Sequence, residues 1–248
     1  MIEYLWDEIK DCEWEQLGEK IIGVSTRFKE DMLEIVLNSP DREIQELINE
    51  ETLNRFTALS CTMGKNLKLG MDFERESVDN KTDNTYKLNA WILLGSLTEC
   101  ALQIFLAFYI DDYRKSKWKQ WEDLDVDNVK NPIINTINTL VKEGTLTLSQ
   151  GKSLKKSIKE KIREHTEEHQ VQKVMFDEII QFYSSMKIMD ADEINYLKQI
   201  QSNRNGIHSF ENRTVGDWRD LRNCVVFWCY LLSWILHRLP EVPDEYMN

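Results

Sequence analysis

The sequence predicts an all-α protein. Three observations carry this. Apolar residues recur at steps of three and four along most of the chain, glycine and proline are scarce at nine and four in 248 residues, and no series of short alternating segments reads as strands. With 42% hydrophobic and 30% charged residues, the chain can bury a substantial core. Its formal charge of −12 creates a field that repels phosphates. Duplex DNA is therefore not an expected partner, although a local basic groove stays open. The cysteines, Cys12, Cys61, Cys100, Cys224 and Cys229, are odd in number and widely spaced, without a CxxC pair. They read as reduced core thiols of a cytoplasmic protein rather than zinc ligands.

The elements follow in order. Ile2, Trp6, Ile9, then Leu17, Ile21, Val24, Phe28, Met32 and Ile35 lie on one helical face, as one long helix or two. Asn38-Ser39-Pro40 ends it, with Ser39 as cap and Pro40 as first residue of a second helix presenting Ile44, Leu47 and Ile48. The polar run 77–84 reads as an exposed loop and linker, separating an N-terminal helical segment, 1–75, from a block over 85–239. Tyr86 to about Trp118 forms the next helix, apolar nearly all round through Leu106, so it should be central. Its carboxylate, Glu99, either meets a donor or cation from another helix or lies on an exposed edge.

Ile133, Ile134, Ile137, Leu140 and Val141 mark a further helix, capped by Asp127 or Asn128 and closed at Glu143-Gly144. A cationic helix from Lys152 to Arg163 follows, with Leu154, Ile158 and Ile162 as its apolar stripe. Val174 to Tyr183 supports another. Asp190 to Glu193 has the form of a capping box, and the helix it starts runs toward Arg204. Asp217 caps the last helix, Trp218 to Leu239. Leu88 to Ile110 is long enough to span a membrane but carries Glu99 and four other polar residues, and Cys224 to Leu236 is too short, so both are expected as helices enclosed by other helices, without a membrane.

Arg204, Asn205 and His208 stand together between two helices, in a chain with four histidines. They supply a cation for a phosphate, an orienting amide and a group that trades a proton near neutral pH. That set suffices to cleave RNA. The ribose 2′-hydroxyl attacks its own phosphate, so protons must be moved and the crowded anionic phosphorane stabilised. His208 is the candidate general base or acid, Arg204 the holder of the non-bridging oxygens, and Asn205 the residue orienting His208 or the sugar. The plainer alternative makes Asn205-Gly206 a turn, Ile207 and Phe210 core plugs and His208 a buttress.

Phe176-Asp177-Glu178-Ile179-Ile180, Leu197, Ile200 and Arg204-Asn205-Gly206-Ile207-His208, followed by a strongly apolar helix, resemble the C-terminal half of the HEPN superfamily domain. Leu93-Leu94-Gly95-Ser96-Leu97-Thr98-Glu99 resembles its central helix. The similarity covers roughly residues 85 to 239. It implies a helical bundle with an additional N-terminal segment, usually dimeric, with a metal-independent endoribonuclease activity on single-stranded RNA in a toxin–antitoxin or phage-defence setting. It also implies a homodimer with a composite site, a protein partner such as an antitoxin or effector, and no cofactor. The family leaves four to six residues between arginine and histidine. Arg204 leaves three, and the longer spacings fall on Asn203, Ser202 and Gln201. This departure favours an inactive dimerisation or partner-binding module as the alternative, and Arg213 is a candidate to substitute. The last helix is a candidate dimer face, or else intramolecular core.

Arg114, Lys115, Lys117, Trp118 and Lys119 mix cations with a ring that can stack bases, and Lys155, Lys156 and Lys159 belong to a second basic strip. Both are candidate RNA-binding surfaces, or solvated faces. His165 and His169 are four apart near Glu168, but not in the HExxH order, and read as polar helix surface rather than a metal site. No phosphate-binding glycine loop or GxSxG elbow occurs, which weighs against a nucleotide-dependent enzyme or a serine hydrolase.

Overall fold

Leu17, Ile21, Phe28 and Met32 fall on one face of α1 (Trp14–Leu37) and are buried there, because residues three and four apart stack on the same side of a helix. In the computed structural model, which describes residues 9–75, 80–115, 126–166, 170–207 and 215–239, that face meets α3 (Glu50–Arg75). This helix turns Leu53, Phe56, Met63 and Leu67 inward. Gly18 and Gly64 let the two backbones approach. A Cβ on Gly64 would lie 2.5 Å from the Gly18 carbonyl oxygen, and one on Gly18 would lie 2.8 Å from that of Gly64.

Between them, α2 (Arg42–Leu47) is capped by Asp41, whose Oδ1 accepts from the backbone N–H of Glu43 at 2.8 Å and of Ile44 at 3.4 Å. Ser39, the expected cap, accepts from Asp41 N–H instead, at 3.2 Å. The helix therefore starts two residues later than expected, because a carboxylate is a stronger acceptor for the first N–H groups than a hydroxyl.

The central helix is α4 (Asn80–Phe108), enclosed by α3, by α9 (Ala191–Arg204) and by α10 (Trp218–Leu236). Among the described residues it is the one helix long and apolar enough to cross a membrane, with a mean hydropathy of 1.7 over its most apolar window, yet Trp91, Leu94, Leu97, Ala101 and Leu102 are fully buried against other helices. The loop expected over 77–84 is not found in its C-terminal part. Asn80 to Asn84 already belong to α4, and 77–79 lie outside the described residues. At its other end α4 stops at Phe108 rather than near Trp118, and a separate short helix, α5 (Ile110–Lys115), follows.

The helix α8 (Phe176–Ser185) packs Phe176, Ile179 and Ile180 inward. The predicted box at Asp190 and the predicted cap at Asp217 both form. Asp190 Oδ1 accepts from Asp192 and Glu193 N–H, and Asp217 Oδ1 accepts from Asp220 N–H at 2.8 Å. Phe56 joins Phe28 to Trp228 with ring centroids 5.6 and 5.7 Å apart. Trp234 packs on Phe105 at 5.0 Å. Of the two roles open to the last helix, intramolecular core is the one its side chains occupy: Val225 to Cys229 and Leu231 to Ile235 are buried.

The chain divides into two compact units, residues 1–108 with 174–248 and residues 109–173. The first unites the N-terminal segment with 85–108 and 174–239, so the division falls away from the 77–84 run. The second holds α5, α6 (Val126–Lys142), α7 (Leu148–Thr166) and a 3-10 turn at Val171–Lys173. The helices α6 and α7 form a hairpin. As expected, Gly144 ends α6, taking the left-handed conformation at φ +76, and Thr145 and Leu146 N–H both reach Leu140 O.

All five cysteines are unpaired, three of them buried. Burial pushes the Cys100 thiol up to about 11 and Cys224 up to about 12, from an ordinary value of 9.0. The Tyr230 hydroxyl is held at about 12 by burial and by the Glu193 carboxylate. Between pH 9 and 12 the unfolded chain therefore binds fewer protons than the folded one, and stability must fall as pH rises through that window. Urea midpoints measured from pH 8 to 11 are expected to decline, more steeply than in Cys100→Ala/Cys224→Ala. Equal slopes would rule these thiols out as the cause.

Candidate functional site

Three residues one helical turn apart on α4, Trp91, Gly95 and Glu99, form the floor on which the end of α9 rests. Arg204, the last residue of α9, runs its stem over Gly95. A Cβ there would come within 2.5 Å of Arg204 Cδ and 2.8 Å of its Cβ and Cγ. Its guanidinium reaches Glu99, with Nη1 2.8 Å from Oε2. The two side chains are 29% and 21% exposed, so the pair is largely withdrawn from water and little weakened by salt. Of the two readings open for Glu99, a cation from another helix is the one found.

The neighbouring Asn203 is buried, with both its amide nitrogen and its amide oxygen engaged. Its Nδ2 donates to Gln199 O at 2.9 Å, and its Oδ1 accepts from Gly216 N–H at 2.5 Å. Gly216 O in turn accepts from Trp91 Nε1 at 3.0 Å. Residues 203 and 216, which bracket the segment carrying His208, are thus tied to each other and to α4. Trp218 adds a second tie, donating from Nε1 to Asp83 Oδ1 at 2.6 Å. A side chain on Gly216 would press on Trp91 and Asn203 at 3.0 and 3.2 Å, so the clamp depends on glycine there.

Asn205 caps α9 and opens a 3-10 turn, Asn205–Ile207, leading toward His208. Arg204 and Asn205 are therefore adjacent at one helix end. His208 and Arg213 lie outside the described residues. So do Lys117, Trp118, Lys119 and His169. Arg114 and Lys115 end α5, and Lys155, Lys156 and Lys159 lie on α7 in the other unit.

Sequence reasoning missed Asn203, Trp91 and Gly216 as site residues. A signal was present for Asn203, a poor helix former in the last turn of a helix, where it competes for backbone groups. A hollow between the start of α9 and the end of α10 was also not foreseen. Tyr230, Arg238, Lys187, Lys198 and Asp190 line it, and the Tyr230 hydroxyl donates to Glu193 Oε1 at 3.0 Å.

Among the described residues no group of three or more His, Cys, Asp or Glu side chains converges as metal ligands would. No family model matches the chain, and no curated protein or solved structure matches it.

Proposed function

We propose that this chain is a HEPN-like, metal-independent endoribonuclease that cuts single-stranded RNA, with Arg204, Asn205 and His208 at its site. The supporting observation is the fixed guanidinium of Arg204, tethered to Glu99 at 2.8 Å beside a segment clamped at both ends. A guanidinium carries five N–H donors in a rigid fork, so the contact with Glu99 orients the group while the remaining donors reach a phosphate. Pre-set donors of this kind stabilise charge that develops in a transition state without reorganising.

In the reaction, His208 or its counterpart from a second copy takes the 2′-hydroxyl proton as the oxygen attacks phosphorus. The 5′-oxygen leaves with a proton from the opposite group, and a 2′,3′-cyclic phosphate remains. The working unit is a cytoplasmic homodimer pairing two motifs, in a toxin or phage-defence setting with an antitoxin or effector as protein partner.

A second reading has its own observation. Glu99 already balances the Arg204 charge, and the arginine-to-histidine spacing is short. Both suit a catalytically inactive module that holds a partner or a second copy.

Cleavage of a mixed single-stranded RNA pool in excess EDTA separates the two. The nuclease reading expects cutting by the wild type, 2′,3′-cyclic phosphate ends, and loss in His208→Ala at matched circular dichroism. Intact RNA with both proteins, each at its native oligomeric state, would favour the inactive module.

A further inference from the structure

The α6–α7 hairpin has two unlike sides. Gly151 marks its seam, where an added Cβ would meet Val141 Cγ2 at 2.6 Å and Ile137 Cγ2 at 3.7 Å. Successive residues turn by about 100° around a helix, so Leu154 and Lys155 fall on opposite sides of that seam. Lys155 Nζ reaches Asn138 Oδ1 on α6 at 2.5 Å, which puts Asn138 on the lysine's side. Lys152, Lys156 and Lys159 extend this side, and the four lysines line one open hollow with Glu160. Val129 and Ile133 of α6 lie on the other side with Leu154, and all three are exposed.

Charge follows the same division. Residues 109–173 carry 13 Lys and Arg against 11 Asp and Glu, which leaves 18 against 32 in the rest of the chain. Within α7 the count is six against two.

We propose that the lysine side of this hairpin binds the phosphate backbone of single-stranded RNA. The inference rests on the RNA reading above and adds the surface that holds the strand. Lysines are mobile point charges that suit phosphates regardless of base. The ion pair of Lys156 with Glu160, 3.8 Å long and 78% and 51% exposed, is too weak to withhold its ammonium. Lys152 to Lys159 spans about 10 Å of helix, and a stacked strand places a phosphate every ~3.4 Å, so the strip engages about three. An acidic protein would also be drawn to it, but a protein interface needs an apolar centre. Val129, Ile133 and Leu154 put three exposed apolar side chains on the opposite side, whereas the lysine strip has Leu148, one turn before Lys152, at its end.

The test is fluorescence anisotropy of a labelled single-stranded RNA with the full chain carrying His208→Ala, so that the strand stays whole. The same chain is compared with versions in which Lys152, Lys155, Lys156 and Lys159 are all changed to Ala or all to Arg. The alanine set is expected to lose affinity about ten-fold or more at low salt. Its plot of log affinity against log salt should be shallower by about 2, from ~0.7 per lost phosphate contact. The arginine set should bind like the parent. Unchanged affinity and slope in the alanine set would overturn the proposal, as would polyglutamate competing as well as RNA. Lysine-dependent binding without cleavage by the wild type would sink the nuclease reading and leave this surface standing. Cleavage with lysine-independent binding would do the reverse.

Discussion

Gly64→Ala is expected to lower the stability of the larger unit by about 1–3 kcal/mol, or roughly 2–12 °C in Tm, although alanine is the better helix former. In an exposed helix interior, glycine to alanine gains about 0.5–1 kcal/mol. At Gly64 that gain is overwhelmed, because the new methyl would sit 2.5 Å from the backbone oxygen of Gly18. No rotamer relieves a clash between a Cβ and a main chain, so α1 and α3 must separate and loosen Leu17, Ile21, Met63 and Leu67 together. Gly23, also on α1, has nothing within 4 Å of its missing Cβ and serves as the control. Gly23→Ala should raise the urea midpoint where Gly64→Ala lowers it. Equal shifts of the same sign in the two variants would refute the close crossing.

The second large effect is expected at Gly95. A methyl there strikes Arg204 along its stem, including the Cβ that is fixed to α9, so a change of rotamer cannot clear it. Gly95→Ala should cost about 1–3 kcal/mol of stability. If Arg204 grips the scissile phosphate, it should also reduce cleavage by about 10²-fold or more per folded molecule, since a displaced donor forfeits what an aligned one supplies. Glu99→Ala and Arg204→Ala should be non-additive in stability, with a coupling of roughly 0.5–3 kcal/mol in a double-mutant cycle. A variant that is less stable but cuts normally per folded molecule would assign Arg204 to structure alone. Additive single effects would mean that the Glu99 contact does not persist in solution.

The helices and their caps were legible because they are local. Asp190 announces its helix through a carboxylate three residues on, Asp217 announces its own as a cap, and the periodicity of Leu17, Ile21, Phe28 and Met32 marks α1 directly. The choice facing a carboxylate was legible too: Glu99 on a nearly all-apolar helix either meets a partner or lies on an exposed edge. That its partner is Arg204, 105 residues later, was not, because periodicity carries no information about which distant element supplies a cation. The room that Gly95 leaves for the arginine stem was hidden for the same reason. The polar run 77–84 misled because Asn, Thr and Asp are as suited to the exposed first turns of a helix as to a loop. The division of the chain was illegible because each helix of residues 109–173 repeats every three to four residues like its neighbours. Only the three-dimensional contacts reveal that the chain leaves one unit at Phe108 and rejoins it at Val174.

That detour has a consequence during synthesis. When α4 leaves the ribosome, α9 and α10, which cover much of it, are still untranslated, and the end of α10 at Leu236 lies 128 residues further on. At about 5–20 residues per second, the most apolar helix of the chain waits roughly 6–26 s for its last cover. Throughout that interval the nascent chain displays a long greasy segment to chaperones and proteases. Slow codons or a stalled ribosome between Tyr109 and Lys173 would lengthen the wait, so the yield of soluble protein should depend on the translation rate of a stretch that belongs to the other unit.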